Sequence, residues 1–259
     1  MLFDTHCHIN DEAYKDDQHD MIQRALDTGL AYMMCPGTDM PTSASAVALT
    51  HQYRQVYAAV GIHPEEAAKV TPESFDQIRK WVQTEPKVVA IGEVGLDYHW
   101  PEPSHEIQQE VFIEQVKMAV ELDVPIDIHD REAHGDTMDI LQKYGKGIRG
   151  VFHCYSGSLE MAEQLIKMGF YIGFTGTMVF PKSKKLKRIV SELPMDRILI
   201  ETDCPYLTPP PYRGKRNEPA YVQYVAAEIA RLRDMDVAEV QRKTLENGKR
   251  IFGIVGDEG

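Results

Sequence analysis

The sequence predicts an α/β protein of the (β/α)8 class, a TIM barrel, and three observations carry that expectation. Short apolar β-type runs alternate with longer helical stretches along the chain, the pattern of parallel α/β architecture. The 259 residues suit one such barrel, which commonly uses about 250. Ionisable, ligand-type residues follow both the first and the last strand run, and only closure of the sheet brings those two runs side by side. A doubly wound open sheet shares the alternation and is the rival on that ground alone.

In chain order, strands are expected near 2–6, 31–35, 56–60, 88–93, 125–129, 150–154, 171–174 and 198–202. Between them lie helical stretches near 17–28, 42–52, 72–84, 105–122, 135–143, 159–168 and 183–192. Each connection is long enough for a right-handed crossover. Two further helices, near 219–233 and 237–251, close the chain. No Gly/Ser-rich linker, repeat or low-complexity segment divides it, so one domain over 1–259 is expected.

A hydrophobic content of 43% supports a full core. The opening residues lack a basic segment followed by an apolar stretch, and no apolar run approaches the roughly 20 residues that span a bilayer. The expectation is a soluble, cytoplasmic protein. Cys7, Cys35, Cys154 and Cys204 are scattered without CxxC spacing, which argues for reduced thiols over a disulfide framework or zinc ribbon. A formal charge of −12 opposes loose nucleic-acid binding, which draws on Lys and Arg to neutralise phosphates. Positive charge is available locally, in the run Lys182, Lys184, Lys185, Lys187, Arg188 and in the loop Arg213, Lys215, Arg216, each of which also reads as a solvated surface.

Chemistry gathers at the strand ends. The first run leads into Asp4-Thr5-His6-Cys7-His8, where residues two apart share a face, so His6 and His8 point together and Cys7 away. Glu93 follows an apolar run and stands between Gly92 and Gly95, which admit unusual backbone angles near a ligand. His129, His153 and Asp203 likewise end apolar runs. Any one of these could be a satisfied core group, but recurrence at five strand ends is a constellation. Four imidazoles with two carboxylates suit Zn, Mn or related divalent ions. Six ligands exceed the needs of one catalytic ion, and two ions sharing a carboxylate use them better.

These residues sit in stretches that resemble the TatD-type deoxyribonuclease family of the metal-dependent hydrolases. The matching stretches are Phe3-Asp-Thr-His-Cys-His8, Gly61-Ile-His-Pro64, Ile91-Gly-Glu-Val-Gly-Leu-Asp97, Pro125-Ile-Asp-Ile-His-Asp-Arg131, Gly150-Val-Phe-His-Cys-Tyr-Ser156, Gly173-Phe-Thr-Gly176 and Leu199-Ile-Glu-Thr-Asp-Cys-Pro-Tyr-Leu207. The loop Pro211-Tyr-Arg-Gly-Lys-Arg-Asn-Glu-Pro219 matches as well. They run in the family's order along nearly the whole chain. The resemblance implies a barrel with two divalent ions, Mg, Mn or Zn. His6, His8 and Asp203 would hold one ion, His129 and His153 the other, and Glu93 would bridge them. It also implies that His63 lines the substrate pocket, and that Arg131, Arg213, Lys215 and Arg216 contact phosphates.

One departure stands out. Asp127 occupies a position where the family more often has an apolar or small residue, and it shares the face of His129. It reads either as a group orienting a ligand or a water or as a satisfied interior carboxylate. Asp4 and Glu201 share the ligands' face by alternation and read either as supports for the ligands or as plain interior hydrogen-bonding groups, while Cys7 and Cys154 are expected to turn towards the helical layer. His19, His51, His99, His105 and His134 show no converging partner in the sequence.

The expected reaction is hydrolysis, with Asp203 as general base for a metal-activated water. The family resemblance implies a DNA phosphodiesterase with 3'-5' exonuclease-like action on DNA or a short oligonucleotide. The alternative is a carbonyl substrate, an amide, ester or lactone, attacked by the same water. A lysine late in the fourth strand, the bridging group of many carbonyl-directed barrels, is absent, and Glu93 occupies the comparable role. A non-catalytic binding barrel is the third reading, and the intact ligand set opposes it. A monomer without an obligate partner is the default.

Overall fold

Eight parallel strands in the order β1 to β8 form one sheet in the computed structural model, which describes residues 1–255. The strands are β1 (Leu2–Asp4), β2 (Leu30–Pro36), β3 (Val56–Val60), β4 (Val88–Asp97), β5 (Ile126–Arg131), β6 (Gly150–Phe152), β7 (Phe170–Phe174) and β8 (Ile198–Ile200). The intervening helices are α1 (Gln18–Asp27), α2 (Met40–Gln52), α3 (Pro72–Thr84), α4 (His105–Leu122), α5 (His134–Tyr144), α6 (Leu159–Met168) and α7 (Lys184–Glu192). Beyond β8 come α8 (Val222–Arg233) and α9 (Val237–Phe252).

The sheet closes on itself. Thr5 N–H donates to Ile200 O at 3.2 Å, Asp203 N–H to His6 O at 2.9 Å and His8 N–H to Cys204 O at 2.9 Å. The fold is the (β/α)8 barrel expected from the alternation, and the open-sheet rival is set aside. The expected domain span of 1–259 includes 256–259, which lie outside the described residues.

Strand alternation sorts the core into two shells. Leu2, Met33, Val56, Ala58, Val60, Ile126, Ile128, Ile172 and Ile198 pack outward with the helices. Phe3, Met34, Ala59, Ala90, Val151, Tyr171 and Leu199 fill the barrel interior, where they meet Ile251, Phe252 and Ile254. The rings of Phe3 and Phe252 lie 6.0 Å apart, so the end of α9 closes this apolar floor. Above it the interior turns polar.

Several strand ends differ from the sequence expectation, and the differences matter for the site. β1, β6 and β8 stop two residues earlier than expected, at Asp4, Phe152 and Ile200. The backbone turns left-handed at Cys154 (φ 43°) and Asp203 (φ 53°), which breaks the alternation just where the ligand-type residues begin. β4 instead runs on to Asp97, four residues past Glu93. The segment 219–221, expected as the start of a helix, forms a separate 3-10 turn before α8.

Candidate metal centre

Above the strand ends, a cavity of about 650 Å³ is lined by His8, His63, Glu93, His129, His153 and Asp203, among others. His6 lies beneath them, fully buried. All six ligand-type residues therefore converge on one place, together with His63.

Their donor atoms fall into two groups that share Glu93. In the first, His6 Nε2 lies 3.1 Å from His8 Nε2, 3.5 Å from Glu93 Oε2 and 3.8 Å from Asp203 Oδ1. His8 Nε2 is 3.4 Å from both Glu93 Oε2 and Asp203 Oδ1. Four ligands about 2.0–2.1 Å from a common centre stand about 3.3–3.4 Å apart in a tetrahedron, so these spacings fit a divalent ion. In the second group, Glu93 Oε1 lies 2.8 Å from His153 Nε2 and 3.1 Å from His129 Nδ1, and the two ring nitrogens are 3.3 Å apart. The groups nearly touch, since the rings of His6 and His153 stack with centroids 3.8 Å apart.

Burial alone would raise the Glu93 carboxyl, yet His153, His6 and His63 around it hold it well below the usual range. Asp203 is also lowered, burial being outweighed by the His8 hydrogen bond and by His153 and His6. Both are therefore anionic at neutral pH, the form that binds a cation. Burial also opposes charge on His129, but its hydrogen bonds to Asp97 and Glu93 raise it to about 10.

Glycines bring β4 close to β5. A Cβ at Gly92 would lie 2.6 Å from that of Asp127, and one at Gly95 (φ 140°) would lie 2.9 Å from His129 C. Glu93 and His129 can thus meet only because their neighbours lack side chains.

His63 ends β3's extension and caps the turn Pro64–Lys69, its Nδ1 accepting Glu65 N–H at 3.2 Å. Burial lowers its imidazole to about 3, so the neutral ring carries its proton on Nε2. That atom faces Glu93 Oε1 at 3.7 Å. A hydrogen-bond donor, not a lone pair, is turned into the cavity.

Arg131 lines the same cavity, 3.9 Å from Asp97 Oδ2. Arg213, Lys215 and Arg216 do not. Arg213 lies over the Phe180 ring and Lys215 over Tyr212, while Arg216 bonds Asp17 through both terminal nitrogens, at 2.7 and 2.6 Å. In the lysine run, Lys185 donates to Ser156 O at 2.8 Å and Lys187 pairs with Glu228 at 3.0 Å. The other charged side chains around the cavity are acidic, notably Asp11, Glu65, Glu66 and Asp130.

Two expectations, for Asp4 and Cys154, need correction. Asp4 does not share the ligands' face, because β1 ends there. Its carboxylate takes N–H and O–H from Thr202 and the N–H of His6, and burial raises it to about 7. Cys154 lines the cavity, turned there by its left-handed backbone, whereas Cys7 packs outward as expected. The five histidines without an evident partner all have one: His19 with Tyr53, His51 with Glu85, His99 with Glu132, His105 stacked on Tyr98 and His134 with Asp130. Asp97, quoted above only as part of a motif, holds His129 Nε2 at 2.9 Å. Its even spacing from Glu93 along β4 was the available signal.

The TatD related DNase family pattern matches residues 3–253. This chain belongs to that family. It is 46% identical over 255 residues to the uncharacterized metal-dependent hydrolase YabD of Bacillus subtilis, covering 98% of this chain and 100% of that one. It is 32% identical to the 3'-5' ssDNA/RNA exonuclease TatD of Shigella flexneri, covering 98% of this chain and 99% of that one. Its fold superposes on the crystal structure of the TatD homologue YjjV of Escherichia coli with a TM-score of 0.92, at 32% identity and 98% coverage of each chain. This TatD-family member is a metal-dependent hydrolase, and among its described residues no helix is long and apolar enough to cross a membrane.

Proposed function

We propose that the chain is a two-ion phosphodiesterase acting on DNA or short oligonucleotides, with 3'-5' exonuclease-like action. The observation that carries the reading is the division of one carboxylate: Glu93 turns Oε2 to His6 and His8 and Oε1 to His129 and His153. His6, His8 and Asp203 would hold one ion and His129 and His153 the other, with Glu93 contributing one carboxylate oxygen to each group. Divalent ions at such a site supply charge to polarise the phosphorus centre and to make a bound water acidic. Asp203, at the cavity edge, takes the proton of the attacking water on its carboxylate. His63 donates from Nε2 to an oxygen on which negative charge develops. Arg131 holds a phosphate. The named exonuclease relative supports DNA as the substrate class.

A second reading is favoured by one observation. Asp11, Glu65, Glu66 and Asp130 line the cavity beside a lone Arg131, a setting more suited to a small neutral carbonyl substrate than to a polyanion.

The deciding experiment follows nucleotide release from a short single-stranded DNA by chelator-stripped protein given Mg, Mn or Zn, with Glu93→Ala as control. Cleavage that needs metal and is lost in the variant supports the phosphodiesterase. A folded, metal-loaded protein that cleaves no oligonucleotide but hydrolyses amides, esters or lactones transfers the proposal to the second reading.

A further inference from the structure

We infer that Asp127 is a positioning residue for His6, fixing the ring so that Nε2 is presented to an ion, and that its hydrogen bond serves that half of the centre. This rests on the two-ion reading and is independent of the substrate class.

His6 Nδ1 and Asp127 Oδ2 are 2.8 Å apart, and both side chains are fully buried. With Nδ1–H donating to the carboxylate, the lone pair available for a cation is on Nε2. That is the nitrogen 3.1 Å from His8 Nε2 and 3.5 Å from Glu93 Oε2. Carboxylates that hold a ligating imidazole in this way fix its tautomer and direction and make it more basic.

Nothing else explains a carboxylate here. Among the described residues, Asp127 Oδ1 has no hydrogen-bond partner, so the bond to His6 is the one return for burying the group. Among the described residues Asp127 caps no helix and pairs with no arginine or lysine. An apolar side chain would fill the position without a desolvation cost. The neighbouring strand makes room for it, because Gly92 has no Cβ where one would stand 2.6 Å from Asp127 Cβ.

The second group is served separately. His129 takes its carboxylate from Asp97 at 2.9 Å, and His153 Nδ1, without a hydrogen-bond partner among the described residues, faces Glu201 Oε1 at 3.7 Å. Among these imidazoles, Asp127 therefore hydrogen-bonds His6 alone, and it reaches His153 only through its charge.

The test titrates chelator-stripped protein with Mn or Zn by calorimetry and resolves the two dissociation constants. Asp127→Val is expected to weaken one site by about 10–100-fold and leave the other unchanged. Asp127→Asn, whose amide oxygen still accepts from Nδ1–H, is expected to lose clearly less. In a His6→Ala background, Asp127→Val should add nothing. Asp127→Ile serves if the valine variant does not fold without metal. Equal weakening of both sites, equal loss in Asn and Val, or an undiminished effect without His6 each overturns the inference while leaving the two-ion reading in place. Uptake of fewer than two ions by the unaltered chain overturns that reading and this inference together.

Discussion

His63 faces Glu93 with a proton and not with a lone pair. Its Nδ1 is occupied by Glu65 N–H at 3.2 Å, and Nε2 looks to Glu93 Oε1 at 3.7 Å. The ring therefore serves as a donor at the edge of the centre. His63→Ala is expected to lower kcat by about 10²–10³-fold, as loss of a donor to developing negative charge does, with metal content unchanged. Elemental analysis beside steady-state kinetics separates the two quantities, and loss of metal in proportion to activity would make His63 a ligand. Burial lowers the ring to about 3. Its charge therefore does not change between pH 5 and 9, and the variant's pH profile should keep the shape of the parent's in that range.

Asp97 and His129 form the outer half of the second group. Because Asp97 Oδ2 engages His129 Nε2 at 2.9 Å, Nδ1 is the nitrogen turned to Glu93. Asp97→Ala is expected to weaken a single metal site by about 10–100-fold, read by titration of stripped protein. Asp97→Asn should recover part of that loss. An unchanged affinity would reduce the pair to packing.

Two of the arginines raised by the sequence, Arg131 and Arg216, part company in the structure. Arg131 lines the cavity, so Arg131→Ala should raise KM for an oligonucleotide by roughly 10–100-fold, the worth of one charge-assisted hydrogen bond. Arg216 instead hydrogen-bonds Asp17 and holds its carboxyl at about 2. Arg216→Gln should leave KM unaltered and reduce stability by about 0–1 kcal/mol, as expected for a partly exposed pair. The sign follows from a depressed acid: the contribution is present above the ordinary value of 3.8 and is lost as pH falls through about 2. The melting-temperature gap between parent and variant should therefore narrow between pH 4 and 2. A KM change at Arg216 comparable to that at Arg131 would restore it as a phosphate contact.

The fold was legible because most strands are built on a compact apolar run and each crossover is long, two features that survive without any tertiary information. The ligand residues were legible for a related reason: an ionisable group after an apolar run is costly to bury unless something pairs with it. What was not legible depended on backbone turns. Alternation assigned Asp4 and Cys154 to the wrong faces because β1 stops at Asp4 and Cys154 takes φ 43°. The partners of Asp127 were equally hidden, since His6 stands across the barrel and 121 residues away in sequence. Surface histidines such as His99 and His51 found carboxylates 33 and 34 residues distant, which no local pattern reports.

Gly95 links the packing of β4 and β5 to the centre. It takes φ 140°, and a Cβ there would lie 2.9 Å from His129 C and 3.2 Å from His129 N. Neither of those atoms can move without displacing the imidazole that faces Glu93. Gly95→Ala thus combines a backbone conformation that L residues rarely adopt with a collision against main chain. Its expected cost is about 1–3 kcal/mol for the strained backbone alone, and the collision adds to it. The chelator-stripped variant should melt well below the parent, and titration should show the site containing His129 weakened more than the site containing His6. If β4 merely slid away from β5, stability would fall while both affinities fell together, because Glu93 would move with the strand. The ratio of the two dissociation constants, not the melting temperature, is therefore the quantity that tests whether Gly95 acts on His129.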